Sequence, residues 1–111
     1  MEEQNDKRSI TTKAGDVAII HYEWDMPGRA HPGLILGLEG KLLRVVSGTS
    51  QDWHEGDDSF VKTEAGYGGL HKSTYWQTHE VYLIEEWRVM KVIGEMPDGQ
   101  YLEISEKSGV L

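Results

Sequence analysis

The feature that most constrains the fold is a pair of short apolar segments separated by four residues that suit a tight turn. The first segment, residues 30–37, begins at a Pro-Gly corner, and the second, residues 42–50, ends in Gly-Thr-Ser. This spacing predicts two strands joined as a β-hairpin. Such a hairpin places His31 close to Thr49 and Ser50, at the ends of neighbouring strands. An imidazole and hydroxyls on loops held by rigid strands are typical of a functional site.

Short β-forming segments recur along the rest of the chain, and turn residues separate them. Further strands are expected at residues 16–24, 59–63, 70–76 and 88–94, with a less regular one within residues 78–86. The chain shows hardly any helical periodicity. The pattern therefore predicts a mainly β fold, built as a compact, strongly bent antiparallel sheet.

The residues after Met96 allow two interpretations. Pro97, Asp98 and Gly99 lie between apolar residues and have the composition of a hairpin turn. Pro97 is also a suitable first residue of a helix, and Glu103 and Lys107 have the i,i+4 spacing of a helical ion pair.

Length and composition limit the class of protein. A chain of 111 residues suits one domain, and we expect a flexible arm at residues 1–12 and a single domain at residues 13–111. No apolar run approaches the 18 residues of a membrane span, and the polar start does not resemble a signal peptide. The absence of cysteine excludes disulfides and thiolate metal sites. These features predict a cytoplasmic protein.

The formal net charge of −8 is unevenly distributed. Residues 13–50 carry four basic and four acidic side chains, and residues 71–94 carry three of each. The acidic excess lies in the first residues, in residues 52–64 and after Gly94. The overall charge disfavours nucleic-acid binding, which normally needs positive potential. The balanced segments nevertheless leave room for a small positive cleft.

Five short motifs occur in an order and spacing that resemble one protein family. They are Gly-Asp-Val-Ala at residues 15–18, His-Pro-Gly-Leu-Ile-Leu at 31–36, Gly-Thr-Ser at 48–50, Leu-His-Lys-Ser at 70–73 and Ile-Gly-Glu-Met at 93–96. Together they span most of the chain and resemble the PemK/MazF toxins of type II toxin-antitoxin pairs. The resemblance is closest to a branch with H-P-G-L-V-L and G-T-S motifs.

The resemblance implies an SH3-like small barrel with a short C-terminal helix, usually found as a homodimer. It also implies a metal-independent endoribonuclease that cuts single-stranded RNA, uses no cofactor and is neutralised by a cognate antitoxin protein. In the family, the arginine of the R-P motif and the hydroxyl of the T-[ST] motif carry the cleavage. Thr49 and Ser50 match the second motif, whereas His31 occupies the arginine position and Arg29 lies two residues earlier.

The residue types available suit this chemistry. RNA cleavage without a metal needs a base for the 2′-hydroxyl, an acid for the leaving oxygen and donors for the charged phosphorane. Histidine can fill either proton-transfer role, and hydroxyls with Arg or Lys supply donors. We therefore predict catalytic roles for His31, Thr49 and Ser50. Substrate-binding roles are predicted for Arg29, Lys72 and Ser73.

Other interpretations remain open. The acidity and the replaced arginine also suit a barrel that has lost cleavage and acts as a protein-binding module or inhibitor, or a structural barrel within a larger complex. His71 and His79 have the spacing of a metal pair on one strand face, but no third ligand is evident, so no metal site is predicted. Trp53 and His54 belong either to a flap over the site or to a solvent loop whose tryptophan packs back on the barrel.

Overall fold

The hairpin predicted at the centre of the chain is the centre of the sheet. In the computed structural model, which describes residues 12–24, 29–52 and 55–109, β2 (His31–Glu39) pairs antiparallel with β3 (Leu42–Thr49). The chain reverses at Gly40, whose φ of 64° is in the left-handed region that glycine tolerates. The expected flap residues Trp53 and His54 lie outside the described residues.

The described residues form seven antiparallel strands in one sheet. Besides the hairpin, these are β1 (Asp16–Ile20), β4 (Phe60–Thr63), β5 (Thr74–Gln77), β6 (Tyr82–Glu85) and β7 (Val89–Glu95). The hydrogen-bonded order is β4-β5-β3-β2-β1-β7, and β6 pairs with the part of β3 that β5 leaves free. The predicted mainly β class is confirmed, and the sheet is not closed.

The sheet is buried on both faces at its centre. One apolar cluster contains Val17, Leu34 and Val46, and a second contains Ala18, Ile35 and Val45. Because successive side chains of a strand point to opposite faces, these adjacent pairs assign the two clusters to opposite sides of the sheet. This explains why the central strands are continuously apolar in sequence, whereas a strand with one wet face would alternate.

The C-terminal segment is a helix, α1 (Asp98–Lys107), which decides between the two interpretations of the residues after Met96. Pro97 precedes its first turn, a position that tolerates proline because the N–H there needs no helical partner. Ile104 packs into the first apolar cluster, and the Tyr101 hydroxyl donates a hydrogen bond to the Leu36 carbonyl at 2.8 Å. The helix is thereby fixed to β2.

A buried polar network also joins α1 to β4 and β5. The Trp76 indole N–H donates to Thr63 Oγ1 at 2.9 Å, and that hydroxyl lies 2.6 Å from Gln100 Oε1. Gln100 Nε2 donates in turn to the Lys62 carbonyl at 2.8 Å. Every polar atom of this network has a hydrogen-bond partner. The network therefore favours one way of packing α1 on the sheet and leaves no buried group unsatisfied.

Two predicted strands are shorter than expected. The first ends at Ile20 rather than at residue 24. The strand expected at residues 70–76 begins only at Thr74, because Gly68 and Gly69 adopt φ values of 63° and 78° and the Leu70 N–H closes a turn on the Tyr67 carbonyl at 3.0 Å. Residues 70–73 therefore belong to a loop.

The limits of the described chain bear on two further predictions. Residues 1–11 of the expected arm lie outside it, whereas Thr12 is buried and its hydroxyl donates to Glu86 Oε2 at 3.3 Å. Within the described residues, no helix has the length and apolar character needed to cross a membrane.

Candidate active site

Two glycines near the predicted site leave room for side chains that pack over them. A Cβ at Gly33 would lie 2.5 Å from the Tyr22 hydroxyl oxygen and 2.8 Å from a methyl of Val45. A Cβ at Gly48 would lie 2.6 Å from a methyl of Thr74 and 2.8 Å from the Trp76 ring. A larger side chain at either position would have to displace these packed side chains. The glycines of the His-Pro-Gly and Gly-Thr-Ser motifs are therefore required by the packing of the side chains around them.

These strands end at a hollow of about 480 Å³, here called the cationic hollow. Strand β2 contributes His31 and Pro32 from its first residues, and β3 contributes Thr49 from its last residue. The full lining is Ile19, Arg29, His31, Pro32, Thr49, Ser50, Gln51, Gly69, Leu70, His71, Lys72, Thr74, Lys91 and Ile93. Five of the six predicted site residues thus share one concave surface.

Ser73 is the predicted residue that does not line the cationic hollow. Its hydroxyl accepts a hydrogen bond from the Ala65 N–H at 3.3 Å and lies 3.4 Å from Glu64 Oε1. The side chain therefore braces the loop between β4 and β5. Lys72, its neighbour in sequence, lines the hollow.

The electrostatic character of the cationic hollow differs from that of the whole chain. Arg29, Lys72 and Lys91 line it together with two histidines, and none of the described lining residues is Asp or Glu. Within the described ranges, these three cations form no ion pair. Among the described residues, the lysines and arginines that form ion pairs with acidic side chains lie outside the hollow: Lys13, Arg44, Lys62 and Arg88. An anionic ligand would find its counter-charges here.

Sequence reasoning did not assign His71 and Lys91 to the site. His71 reaches the cationic hollow because the loop after Gly69 lies directly on β7: a Cβ at Gly69 would be 1.9 Å from the Ile93 carbonyl oxygen. Lys91 reaches it because β7 pairs with β1, where Lys91 is opposite Ile19. That pairing contains two register shifts. The alternation of residues 88–94 indicated a strand but could not give its neighbour.

The hydroxyl of Thr49 is placed to act as a donor. Its oxygen accepts a hydrogen bond from the Gln51 N–H at 3.3 Å, and this bond does not use the hydroxyl proton. Ser50 follows it in the lining and is exposed. Two hydroxyl groups therefore adjoin the imidazole of His31 and the cations, which is the donor set that a phosphate group requires.

A second hollow of about 400 Å³, here called the aromatic hollow, adjoins the first. The two share His31, Thr49 and Gln51. The other lining residues are Trp24, Ser47, Gly48, Gln77, Glu80 and Tyr82.

Three aromatic rings pack together at this second hollow. The centroid of the Trp24 ring lies 4.5 Å from that of Tyr22 and 4.4 Å from that of Tyr82. The Tyr82 hydroxyl donates to Glu80 Oε1 at 2.8 Å. Burial is the larger cause, and this hydrogen bond the next, of the raised pKa of Tyr82, which is about 12. The hydroxyl therefore keeps its proton even in alkaline solution. The bond holds Glu80 at the rim of the hollow.

The two histidines considered as a metal pair lie in different environments. His71 lines the cationic hollow, whereas the ring of His79 lies edge-on to Phe60 at a centroid distance of 6.0 Å. Among the described residues, no three His, Cys, Asp or Glu side chains come together as a group that could hold a metal ion.

No protein-family model matches the chain, and a search of curated proteins found no match. Any assignment of function therefore depends on the geometry of the two hollows and on the sequence motifs that meet there.

Proposed function

We propose that this protein is a PemK/MazF-like toxin, a metal-independent endoribonuclease that cuts single-stranded RNA in the cationic hollow. The observation that carries the proposal is that His31, Thr49, Ser50, Arg29 and Lys72 line a single hollow. The net charge of −8 disfavours RNA binding over most of the surface. The lining of this hollow is cationic, however, and RNA binding depends on the potential where the phosphates lie.

The chemistry proceeds by attack of the ribose 2′-oxygen on the adjacent phosphorus. The new P–O2′ bond forms as the P–O5′ bond breaks, which leaves a 2′,3′-cyclic phosphate and a 5′-hydroxyl end. One imidazole removes the 2′-hydroxyl proton and the other protonates the departing 5′-oxygen, roles that His31 and His71 fill from the same hollow. Arg29, Lys72 and Lys91 stabilise the extra negative charge of the phosphorane.

The replaced arginine of the family motif has a substitute in this arrangement. His31 stands at the motif position, and Arg29 lines the same hollow. A guanidinium binds phosphate oxygens in a bidentate manner, which lysine cannot do. Arg29 therefore takes the phosphate-stabilising role in this proposal, and His31 takes a proton-transfer role.

The proposal includes the partners that the resemblance implies. A cognate antitoxin segment occupies the cationic hollow and blocks RNA, and the toxin works as a homodimer in the cytoplasm. Strand β7, at one end of the sheet order, exposes Met90 and Val92, and Trp87 just before it is 70 % exposed. Such an apolar strip suits a subunit interface.

A second candidate function is a protein-binding module without nuclease activity. The observation that favours it is the acidic surface, since a net charge of −8 suits basic protein partners better than RNA. In that case the cationic hollow binds a carboxylate of the partner, and no RNA is cut.

Purified protein incubated with mixed-sequence RNA in the presence of a chelator tests the proposal. Cleavage should yield cyclic-phosphate and 5′-hydroxyl ends, identified by end-group analysis. Thr49→Ala should lower the rate by about 10²–10³-fold, the cost of one charge-stabilising donor. His31→Ala should lower it at least as much, whereas the matched control His79→Ala, outside the hollow, should cut at the wild-type rate.

Intact RNA after prolonged incubation with excess protein would contradict the nuclease proposal and favour the binding module. Growth arrest on expression, relieved by a neighbouring gene and abolished by Thr49→Ala, would support a toxin in cells. Arrest that persists in Thr49→Ala would show that toxicity has another cause.

A further inference from the structure

We propose that the aromatic hollow is a nucleobase subsite that accepts a base with an exocyclic amino group and disfavours uracil. The inference rests on the proposed function, because it places the base of a nucleotide whose phosphate lies in the cationic hollow. It adds a preference for one chemical class of base, which the cleavage chemistry alone does not require.

The position of the aromatic hollow suits a base. Phosphate and base are joined by one ribose, so their binding sites must adjoin. The two hollows share His31, Thr49 and Gln51 and differ in character on either side of them. A nucleotide bound across this boundary has its ribose beside the imidazole and the hydroxyl, which is where the 2′-hydroxyl must be activated.

The aromatic side chains suit stacking. Trp24 is 53 % exposed and lines the hollow, yet two tyrosines hold its ring. A half-exposed tryptophan offers a large apolar face to a ligand, and single-stranded nucleic acids are commonly bound by stacking bases on such rings. Because Tyr22 and Tyr82 contact the ring, little side-chain entropy remains to be lost on binding.

The polar rim supplies the selectivity. Glu80 is acceptor-only as a carboxylate, and the Tyr82 hydroxyl holds it through Oε1. An amino group of cytosine, adenine or guanine can donate to this carboxylate. Uracil instead presents two carbonyl oxygens flanking its single N–H, and these oxygens repel a carboxylate. Gln77, on the same rim, offers both a donor and an acceptor and adapts to either edge.

The test uses short fluorescein-labelled 2′-O-methyl oligoribonucleotides, which the protein cannot cut, and measures binding by fluorescence anisotropy. Oligo(C) and oligo(U) form a matched pair, because they differ mainly in the amino and carbonyl groups at C4 of the ring. An abasic ribose-phosphate oligomer reports binding by the cations alone.

Wild-type protein should bind oligo(C) about tenfold more tightly than oligo(U). Glu80→Gln should reduce this preference to less than about twofold, since an amide also donates to a carbonyl. Trp24→Ala should weaken binding of both oligomers about tenfold and leave the abasic oligomer unaffected, while Trp24→Phe should retain most of the affinity. Tyr67→Ala, at an exposed aromatic residue outside both hollows, is the matched control and should bind as wild type.

The outcomes separate this inference from the function on which it rests. If bases add nothing over the abasic oligomer, or if Glu80→Gln and Trp24→Ala both leave the wild-type preference and affinity unchanged, the base subsite is wrong. The cationic hollow still stands in that case, provided Lys72→Ala weakens the abasic oligomer. Failure of wild-type protein to bind any of the three oligomers would overturn both proposals.

Discussion

Single residues fix how closely the elements of this molecule pack, and most buried polar groups among the described residues are satisfied. Ser105, in the second half of α1, is an exception: it is fully buried, and its hydroxyl has no hydrogen-bond partner within the described chain. A buried hydroxyl without a partner costs free energy because it has lost its bonds to water.

Replacing Ser105 by alanine should therefore stabilise the protein. The change removes the unsatisfied oxygen and improves helix propensity, and we expect the free energy of unfolding to rise by about 1 kcal/mol. Urea denaturation measures this. Ser108→Ala is the matched control, since the Ser108 hydroxyl donates to the Ser105 carbonyl at 3.0 Å and its loss should lower stability slightly. A clear loss of stability in Ser105→Ala would mean that the hydroxyl is satisfied in solution.

At the scale of elements, the loop between β4 and β5 connects the site to the sheet. Gly68 and Gly69 lie against the backbone of β7, and Gly69 contacts Ile93 so closely that no Cβ fits. The residues after these glycines carry His71 and Lys72 into the cationic hollow. The position of this loop on β7 therefore sets the distance between these side chains and His31.

Gly69→Ala should destabilise the fold by about 3 kcal/mol, because backbone strain and a backbone clash act together. Gly66→Ala separates the two effects. Gly66 also has a positive φ, of 97°, but a Cβ there meets nothing within 4 Å, so only strain of about 1 kcal/mol is expected. Chemical denaturation of both variants gives the comparison. Equal decreases in the free energy of unfolding for the two variants would show that the loop does not pack on β7.

The elements also show what the sequence could predict. Two short apolar segments and the four turn residues between them were enough to predict the β2–β3 hairpin, and the hairpin alone places His31 near Thr49. The pairing of β7 with β1 could not be predicted from the sequence, because its register shifts depend on packing between segments about 70 residues apart. For the same reason, Lys91 could not be assigned to the site. The orientation of Ser73 depended on a turn at Gly68 and Gly69 that interrupts an otherwise strand-like segment.

At the scale of the whole molecule, the positive charge of one hollow is separated from the negative charge that dominates the rest of the chain. The net charge is −8, yet three cations without ion partners in the described chain gather in one hollow. Under the proposed nuclease function, the acidic surroundings repel RNA from the rest of the surface, and RNA binding is confined to the hollow where the charge is reversed. On that proposal, the protein makes few phosphate contacts and does not coat nucleic acid non-specifically.

This separation predicts a shallow dependence of RNA binding on salt. With Arg29, Lys72 and Lys91 each neutralising one phosphate, log K should fall against log salt with a slope of about −2 for single-stranded RNA, because each contact contributes about −0.7. Lys91→Ala should reduce the slope by about 0.7. Lys41→Ala removes the same charge at the β2–β3 turn, at the opposite end of the hairpin from the hollow, and should leave the slope unchanged. Titration of the non-cleavable oligomers over a range of salt concentrations gives these slopes. A slope near zero, or one that Lys41→Ala lowers as much as Lys91→Ala, would mean that RNA does not bind in the cationic hollow.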